Sequence, residues 1–316
     1  MILRRYSGPP TYFPGIRSKS MKINVDELGR HSFAKLEQSY GSDQTIIYAL
    51  GIGLGQNPLD GSDLDYLIEG SGKVLQTFAA TLASPSMWLR DPKFGINFAR
   101  LVHGEQDMDF SAPLPPAARV TATPRISGIF DRGAGKGALV IVEREIADAD
   151  SKVIYATARQ TLLLRDDGGF GGAPPPTSVA PQPDGPADCE VVVDVSPRAA
   201  LIYRLSGDRN PLHSDPEFAR SAGVERPILH GLATYGMAGR ALTRAFGAEL
   251  SSLRCRFSGI VYPGDQIRFN FWRADSDVRF IASVGERVVL DRGLAVILPH
   301  PTTNLEHASR SDALVR

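Results

Sequence analysis

The hydrophobic pattern of this chain falls into two stretches, each rich in strand-like runs. Val, Ile and Thr cluster in segments that are separated by Gly or Asp turns, which is typical of β-strands. In the first stretch these runs cover residues 120–129, 138–147 and 153–164. In the second stretch they cover residues 253–261, 265–274, 278–284 and 287–298. The pattern therefore predicts two groups of β-strands.

Helix-like segments precede each group of strands. In the first stretch, residues 46–53 are apolar up to a cluster of glycines, and residues 84–103 form a candidate buried helix that Pro92 interrupts. In the second stretch the predicted helices cover residues 196–205, 215–223 and 230–246. Gly247 suits the end of the last helix. Helices followed by strands, found twice, predict an α+β fold with antiparallel sheets.

A Gly- and Pro-rich segment at residues 167–188 separates the two stretches. It begins with glycines and continues with six prolines between Pro174 and Pro186, so it reads as a linker that is flexible and then stiff. We therefore predict one unit on each side of it. The predicted divisions are a disordered extension at 1–21, a first unit at 22–166, the linker at 167–188, a second unit at 189–299 and a polar tail at 300–316.

The two units also share a weak internal repeat. Sliding the chain by 155 residues places the segment 48–53 over the segment 203–208, with tyrosine at the first position of both. On this register Asp208 faces Gly53, and His213 faces Pro58. We infer two copies of one fold, of which the first has lost both ionisable groups.

Composition and charge narrow the class of protein. The chain has 316 residues, and Lys plus Arg balance Asp plus Glu at 35 each, so neither nucleic acid nor an anionic membrane is predicted as the main partner. Its two cysteines are far apart and lack metal-ligand spacing, which favours a reducing compartment. No apolar run is long enough to span a bilayer, and no secretory or peroxisomal signal is recognisable. We therefore predict a cytoplasmic location.

A carboxylate and an imidazole lie five residues apart within the segment 203–213, which reads Tyr-Arg-Leu-Ser-Gly-Asp-Arg-Asn-Pro-Leu-His. Asp208 and His213 could share one water, with one group acting as base and the other as acid. Gly207 permits a tight or left-handed backbone, and the Asn-Pro step prevents a helix from entering the loop. The alternative is an ordinary surface turn, because Asp-x-Asn is a common turn composition.

The whole segment resembles the hydratase 2 motif of the MaoC-like dehydratases. That family includes the (R)-specific enoyl-CoA hydratases and the hydratase unit of peroxisomal multifunctional enzyme type 2. The motif consists of an aromatic residue, an aliphatic residue, Ser/Thr-Gly-Asp, any residue, Asn-Pro, an aliphatic residue and His. The matching residues are Tyr203, Leu205, Ser206, Gly207, Asp208, Asn210, Pro211, Leu212 and His213. Family-like stretches at 135–140, 230–232 and 257–265 extend the resemblance over residues 22–298.

The resemblance implies a fold, a reaction and a set of site residues. The fold is a double hot dog: two hot-dog repeats in one chain, each an antiparallel sheet wrapped around a long helix, with a degenerate N-terminal copy and a catalytic C-terminal copy. The reaction is hydration of trans-2-enoyl-CoA to (R)-3-hydroxyacyl-CoA and its reverse, with Asp208 and His213 as acid–base groups. Gly231 would offer an oxyanion-binding N–H, and Asn210 would orient the water or the product hydroxyl. A homodimer is implied as well. No metal or organic cofactor is expected, since CoA belongs to the substrate.

Other residues are predicted to bind the substrate. Gly207 and His230 adjoin the acid–base loop and the oxyanion site, although His230 could equally be a core or capping histidine. Arg132 and Lys136 could contact a CoA phosphate, but the alternative is a plain hairpin turn between two strands. Four histidines have no partner nearby in the sequence and are predicted to be solvated: His31, His103, His300 and His307.

Two rival functions remain open at the level of sequence. A hot-dog acyl-CoA thioesterase would also need an acid–base group near a helix N-terminus, but the complete hydratase 2 motif argues against it. A non-catalytic acyl-CoA binding module would not need Asp208, Asn210 and His213 together. An acyl-carrier-protein substrate in place of CoA is a further alternative.

Overall fold

The fold was analysed in a computed structural model, which describes residues 22–85, 87–176 and 183–299. The predicted extension at 1–21, the predicted tail at 300–316 and the middle of the predicted linker lie outside the described residues. His300 and His307 lie outside them too.

Eleven strands form one antiparallel sheet in the described part of the chain. Those of the first half are β1 (Leu36–Tyr40), β2 (Leu101–Phe110), β3 (Ala118–Ala122), β4 (Arg125–Asp131), β5 (Ala138–Asp148) and β6 (Ile154–Leu164). Those of the second half are β7 (Cys189–Asp194), β8 (Ala248–Phe257), β9 (Gln266–Ala274), β10 (Asp277–Val284) and β11 (Arg287–Pro299). The single strand predicted at 120–129 is wrong. Pro124 separates β3 from β4 because proline cannot donate to the ladder.

The strand order shows that the two halves repeat one topology. The order across the sheet is β1-β3-β5-β6-β2-β8-β11-β10-β9-β7, with β4 paired to β5 alone. In each half the first strand lies at the outer edge and the second strand lies at the junction, where β2 pairs with β8. The predicted internal repeat therefore has a counterpart in topology, and the two halves form the predicted double hot dog.

Six α-helices occur among the described residues, and only one of them is long. They are α1 (Val25–Arg30), α2 (Ser42–Gly51), α3 (Gly61–Leu64), α4 (Ala199–Tyr203), α5 (Pro216–Ser221) and α6 (Gly231–Phe246). The C-terminus of α6 is as predicted: Gly247 takes the left-handed conformation at φ 55° and ends the helix. The first half packs closely on α6. A Cβ at Gly236 would lie 2.5 Å from the Tyr48 hydroxyl, and one at Gly239 would lie 2.7 Å from Thr77 Cγ2.

The first half departs from the prediction of a long helix in each copy. The segment predicted as a buried helix at 84–103 forms short 3-10 turns at Trp88–Arg90, Pro92–Phe94 and Phe98–Arg100 and then enters β2. Pro92 cannot continue a helix, and Met87 and Gly95 have φ values of 63° and 64°, which no right-handed helix contains. The prediction for 84–103 is wrong for this reason.

A separate small core replaces the missing helix of the first half. Leu89 and Phe94 of the 3-10 turns, together with Leu28 of α1, pack on the inner face of β5 and β6. The strand residues beneath them are Ala138, Val140, Val142, Leu162 and Leu164. Burial of these side chains stabilises the irregular segment without a regular helix.

A buried ion pair joins the two halves. Arg240 of α6 donates to the Asp63 carboxylate of α3 over 2.8 Å, and both side chains are nearly buried. Tyr48 of α2 and Tyr203 of α4, which the repeat aligns, face each other with ring centroids 5.8 Å apart.

Among the described residues, none of the helices combines the length and the apolar character that crossing a membrane would require.

Candidate active site

The loop that carries Asp208 and His213 begins where α4 ends. The helix passes into a 3-10 turn at Arg204–Ser206, which stops at Gly207 with φ 124°. A Cβ there would meet no atom within 4 Å, so the backbone conformation, rather than space, requires glycine. The helix is shorter than the predicted 196–205, since it starts at Ala199 and Ser196 instead accepts a hydrogen bond from the Arg198 N–H over 3.2 Å.

Asp208 and Asn210 shape the loop that presents His213. The Asp208 carboxylate accepts from the Asn210 N–H over 3.0 Å, and the Asn210 side-chain oxygen accepts from the Leu212 N–H over 3.1 Å. The second bond caps the short turn Pro211–His213. Asn210 therefore positions His213 through the backbone, and its predicted contact with water or product stays a prediction.

His213 is oriented by a backbone carbonyl. Its Nδ1 lies 2.9 Å from the Ile228 carbonyl oxygen, and since a carbonyl only accepts, Nδ1 carries the proton. The lone pair of Nε2 is then free, and this atom lies 3.9 Å from Asp208 Oδ2. That separation is too long for a direct hydrogen bond and suits one water that contacts both atoms. Burial lowers the pKa of His213, so the neutral imidazole is favoured.

The two members of the pair differ in exposure. The Asp208 side chain is 51% exposed, whereas the His213 side chain is only 9% exposed. The carboxylate therefore faces the solvent-accessible side, and the imidazole forms the floor beneath it.

His230 supports the pair from beneath. Its ring stacks on His213 with centroids 3.6 Å apart, and its Nε2 donates to the Asp208 carbonyl oxygen over 3.1 Å. Burial, followed by the neighbouring His213, lowers the pKa of His230 to about 3, which keeps it neutral. Its ring also lies 4.9 Å from the Tyr203 ring, centroid to centroid. The predicted substrate contact of His230 stays a prediction.

The three side chains Asp208, His213 and His230 bring potential metal-ligand atoms within 4.8 Å of one another. However, the two rings are stacked at 24°, and one nitrogen of each ring already donates to a carbonyl. Each ring therefore has one nitrogen left that is not bonded to a carbonyl. The expectation that no metal binds here stays a prediction.

Gly231 opens the long helix beside this pair. It directly follows the capping residue His230, and the helix cannot satisfy its first N–H groups internally. A Cβ on Gly231 would lie 3.2 Å from the Phe257 ring, so a glycine leaves the approach to this N–H clear. Because His230 also holds the Asp208 carbonyl, one residue links the helix start to the acid–base loop.

Arg132 and Lys136 lie in the turn between β4 and β5. The backbone N–H of Arg132 donates to the Gly137 carbonyl over 3.1 Å, and that of Lys136 donates to the Gly133 carbonyl over 3.0 Å, so these residues form a hairpin turn. The Asp131 carboxylate fastens the turn to the start of the linker by accepting from Gly169 and Gly171. The described contacts do not bring either cation to Asp208 or His213, and CoA binding by them stays a prediction.

Two histidines predicted to be solvated are packed instead. His31 stacks on Trp88 at 5.1 Å, and His103 meets Phe257 edge-on at 4.8 Å. Both predictions were wrong: His31 also meets the nearby Phe33 edge-on at 4.5 Å, whereas the partner of His103 comes from a distant part of the chain. Gly104, which follows His103, could have indicated the inward orientation of this ring, because a glycine within a strand is typical of a β-bulge.

Replacing His230 by phenylalanine is expected to lower kcat by about three- to tenfold, with little effect on KM. The phenyl ring keeps the stack but leaves the Asp208 carbonyl without its donor, a loss of about 1 kcal/mol. Steady-state kinetics test this, with His230→Gln as the matched variant that retains a donor in place of Nε2. A phenylalanine variant as active as wild type would contradict this role.

Sequence comparisons identify both halves of the chain. A family profile described as MaoC like domain matches residues 178–291, and one described as MFE-2 hydratase 2 N-terminal domain matches residues 38–166. The enoyl-CoA hydratase ChsH3 of Mycobacterium tuberculosis is 36% identical over 287 residues, covering 88% of this chain and 97% of that protein. The 3-hydroxyacyl-thioester dehydratase Y of the same organism is 39% identical over 290 residues, covering 86% and 98%.

Solved structures agree with these relatives. A MaoC-like dehydratase from Phytophthora capsici superposes with a TM-score of 0.75 at 30% identity, covering 88% of this chain and all of that one. A Mycobacterium tuberculosis protein described as having a double hot-dog fold superposes with a TM-score of 0.52 at 15% identity, which shows the fold alone. The chain belongs to the MaoC-like dehydratase and hydratase 2 family.

Proposed function

We propose that this chain hydrates trans-2-enoyl-CoA to (R)-3-hydroxyacyl-CoA and catalyses the reverse dehydration, with Asp208 and His213 as the acid–base pair. The observation that carries the proposal is the distance of 3.9 Å between Asp208 Oδ2 and His213 Nε2. Both atoms are acceptors, and one water could donate a hydrogen bond to each of them. The relatives named enoyl-CoA hydratase and 3-hydroxyacyl-thioester dehydratase, which match along nearly their whole length, make the chain a hydro-lyase.

The forward reaction needs a water with an acceptor for its proton. Asp208 and His213 both present lone pairs to that water, and either can take the proton as the oxygen bonds to the β-carbon. The electrons of the double bond move onto the thioester oxygen and form an enolate. A proton is then delivered to the α-carbon from the pair, which restores the carbonyl, so that one water has been added across the double bond.

The enolate oxygen requires donors that are already in place. The N–H of Gly231 at the start of α6 is the best placed group, because a helix N-terminus offers unsatisfied donors and a partial positive charge. Such an oxyanion donor contributes roughly a hundred- to a thousandfold to the rate. The thioester can approach it because Gly231 has no side chain.

Activity is expected to fall at acid pH with a midpoint below 6.5. Burial lowers the pKa of His213 from its usual 6.5, so the imidazole stays neutral until the pH falls further. Protonation of Nε2 then removes the lone pair that receives the water. The pH profile of kcat/KM measures this pKa in the free enzyme. A midpoint at or above 7 would show that a group other than His213 causes the fall of activity at acid pH.

The rival functions predict different products. A thioesterase would release free thiol and leave the double bond, and a binding module would leave the thioester unchanged. Incubation with trans-2-enoyl-CoA, with a thiol reagent and an (R)-specific 3-hydroxyacyl-CoA dehydrogenase as detectors, separates the three. Formation of the (R)-alcohol without free thiol is the result that supports the proposal.

We extend the proposal to the assembly and the location of the protein. The family resemblance implies a homodimer, and the sequence predicts a cytoplasmic location. Light scattering during size-exclusion chromatography should give twice the mass of one chain, and the mass of one chain would contradict the dimer. Fluorescence microscopy of a tagged chain in its own host tests the location.

A further inference from the structure

We propose that His103 of the first half is a substrate-binding residue whose Nδ1 accepts a hydrogen bond from the pantetheine amide nearest the thioester. This inference rests on the proposed function, since it names how the first half takes part in the same site. The amide is common to CoA and to acyl carrier protein, and the recognition is therefore of pantetheine.

A β-bulge turns His103 toward the site. Gln106 and Met108 of β2 lie on the buried inner face, and counting back by twos would put Gly104 on that face and His103 on the other. The pairing of β2 with β6 slips between His103 and Glu105, so His103 pairs with the buried Leu162. Bulges next to active sites commonly redirect a side chain in this way.

The redirected ring reaches the start of α6 through one neighbour. His103 contacts Phe257 edge-on with centroids 4.8 Å apart, and the same Phe257 ring lies 3.2 Å from the position of a Cβ on Gly231. The negative charge of Asp208 raises the pKa of His103 and so partly offsets the larger effect of burial. Phe257 thus brings His103 of the first half beside the start of α6 in the second half.

The chemistry of the ring fits an N–H donor. Nε2 lies 3.1 Å from the Glu105 carbonyl oxygen, and since a carbonyl only accepts, Nε2 carries the proton and Nδ1 is left as an acceptor. Burial, the largest cause, lowers the pKa of His103 to about 4, so the ring stays neutral and keeps this lone pair at working pH.

The covalent structure of the thioester indicates which substrate group donates to His103. When the carbonyl oxygen is held by the Gly231 N–H, the sulfur continues into the pantetheine arm, whose first amide follows after two methylene groups. That N–H is the nearest donor in the substrate. Because the Phe257 ring lies beside both the helix start and His103, this amide is the donor that we assign to His103.

The decisive experiment compares two small substrates that differ in one atom. The trans-2-butenoyl thioester of N-acetylcysteamine carries the amide, and the thioester of 2-mercaptoethyl acetate replaces its N–H by oxygen. Wild-type protein should prefer the amide in kcat/KM by about three- to tenfold, the range of one hydrogen bond. His103→Leu should bring this ratio to about one, and His103→Asn, which keeps an oxygen close to the place of Nδ1, should retain part of it.

His31→Gln serves as the matched control, because it removes an imidazole that packs against Trp88 rather than Phe257. It should keep the wild-type ratio. If His103→Leu lowers kcat/KM for both thioesters by the same factor, the residue is merely structural and the proposal is overturned. Equal losses for butenoyl-CoA and the butenoyl carrier protein support pantetheine recognition, and a loss for one carrier alone contradicts it.

A binding measurement keeps the test independent of turnover. Saturated butanoyl thioesters of the same two thiols are titrated into protein with labelled histidine side chains and followed by NMR. The Nδ1 resonance of His103 should shift with the amide and not with the ester, even if the chain hydrates neither unsaturated thioester. Absence of any difference between the two ligands would overturn the assignment, while absence of hydration alone would count only against the proposed function.

Discussion

Replacing Asp208 by asparagine is expected to lower kcat for enoyl-CoA hydration by about a hundred- to ten-thousandfold, the usual contribution of acid–base catalysis. An amide oxygen cannot take up the proton of the water that the proposal places between this side chain and His213. The fold should persist, because the side chain is 51% exposed and the asparagine oxygen can still accept from the Asn210 N–H. Steady-state kinetics together with circular dichroism measure both effects.

His213→Ala should cause a loss of similar size, since it removes the other acceptor. Asp215→Asn is the matched control. Asp215 caps α5 by accepting from Glu217 and Phe218 N–H groups, which an asparagine oxygen can also do, and it should keep wild-type kinetics. A folded Asp208→Asn, His213→Ala double variant that turns over normally would refute the assignment of the pair.

Replacing Gly231 by proline is expected to lower kcat by about a hundred- to a thousandfold. Proline removes only the N–H that is assigned to the enolate oxygen, and the first position of a helix tolerates it well. The preceding His230 has ψ 136°, which suits a residue before proline. The measurement is single-turnover hydration, so that product release does not mask the chemical step.

Gly231→Ala separates the lost donor from the added bulk. Both variants place a Cβ 3.2 Å from the Phe257 ring, but alanine keeps the N–H. The alanine variant should therefore retain at least about tenfold more activity than the proline variant. Equal activity of the two would mean that the Phe257 contact, rather than the N–H, causes the loss.

The sequence could predict the acid–base loop because its parts are local. Asp208, Asn210 and His213 lie in one turn, and the bonds that order them run between residues two positions apart. The long helix α6 could be predicted for the same reason, since its glycine stop and its apolar positions follow one another along the chain. Local rules of capping and turn formation suffice for such features.

The missed features depend on distant contacts. The strand β2 carries Glu105, Asp107 and Asp109 on its outer face, so it lacks the apolar character of a typical strand and is recognisable only beside β6 and β8. The segment at 84–103 has helix-like apolar spacing but turns irregularly to fit the inner face of β5 and β6. The orientation of His103 depends on a bulge in the pairing of β2 with β6. The position of His230 depends on its hydrogen bond to the Asp208 carbonyl, 22 residues away.

The most direct test of the account is to incubate the purified chain with trans-2-enoyl-CoA of short, medium and long acyl length. Loss of the conjugated thioester absorbance is followed, and the product is tested with an (R)-specific dehydrogenase, with Asp208→Asn as control. The account predicts loss of absorbance, an (R)-3-hydroxyacyl product, no free thiol, and little reaction in the variant. Free thiol with the double bond intact, or tight acyl-CoA binding with neither change, would contradict it.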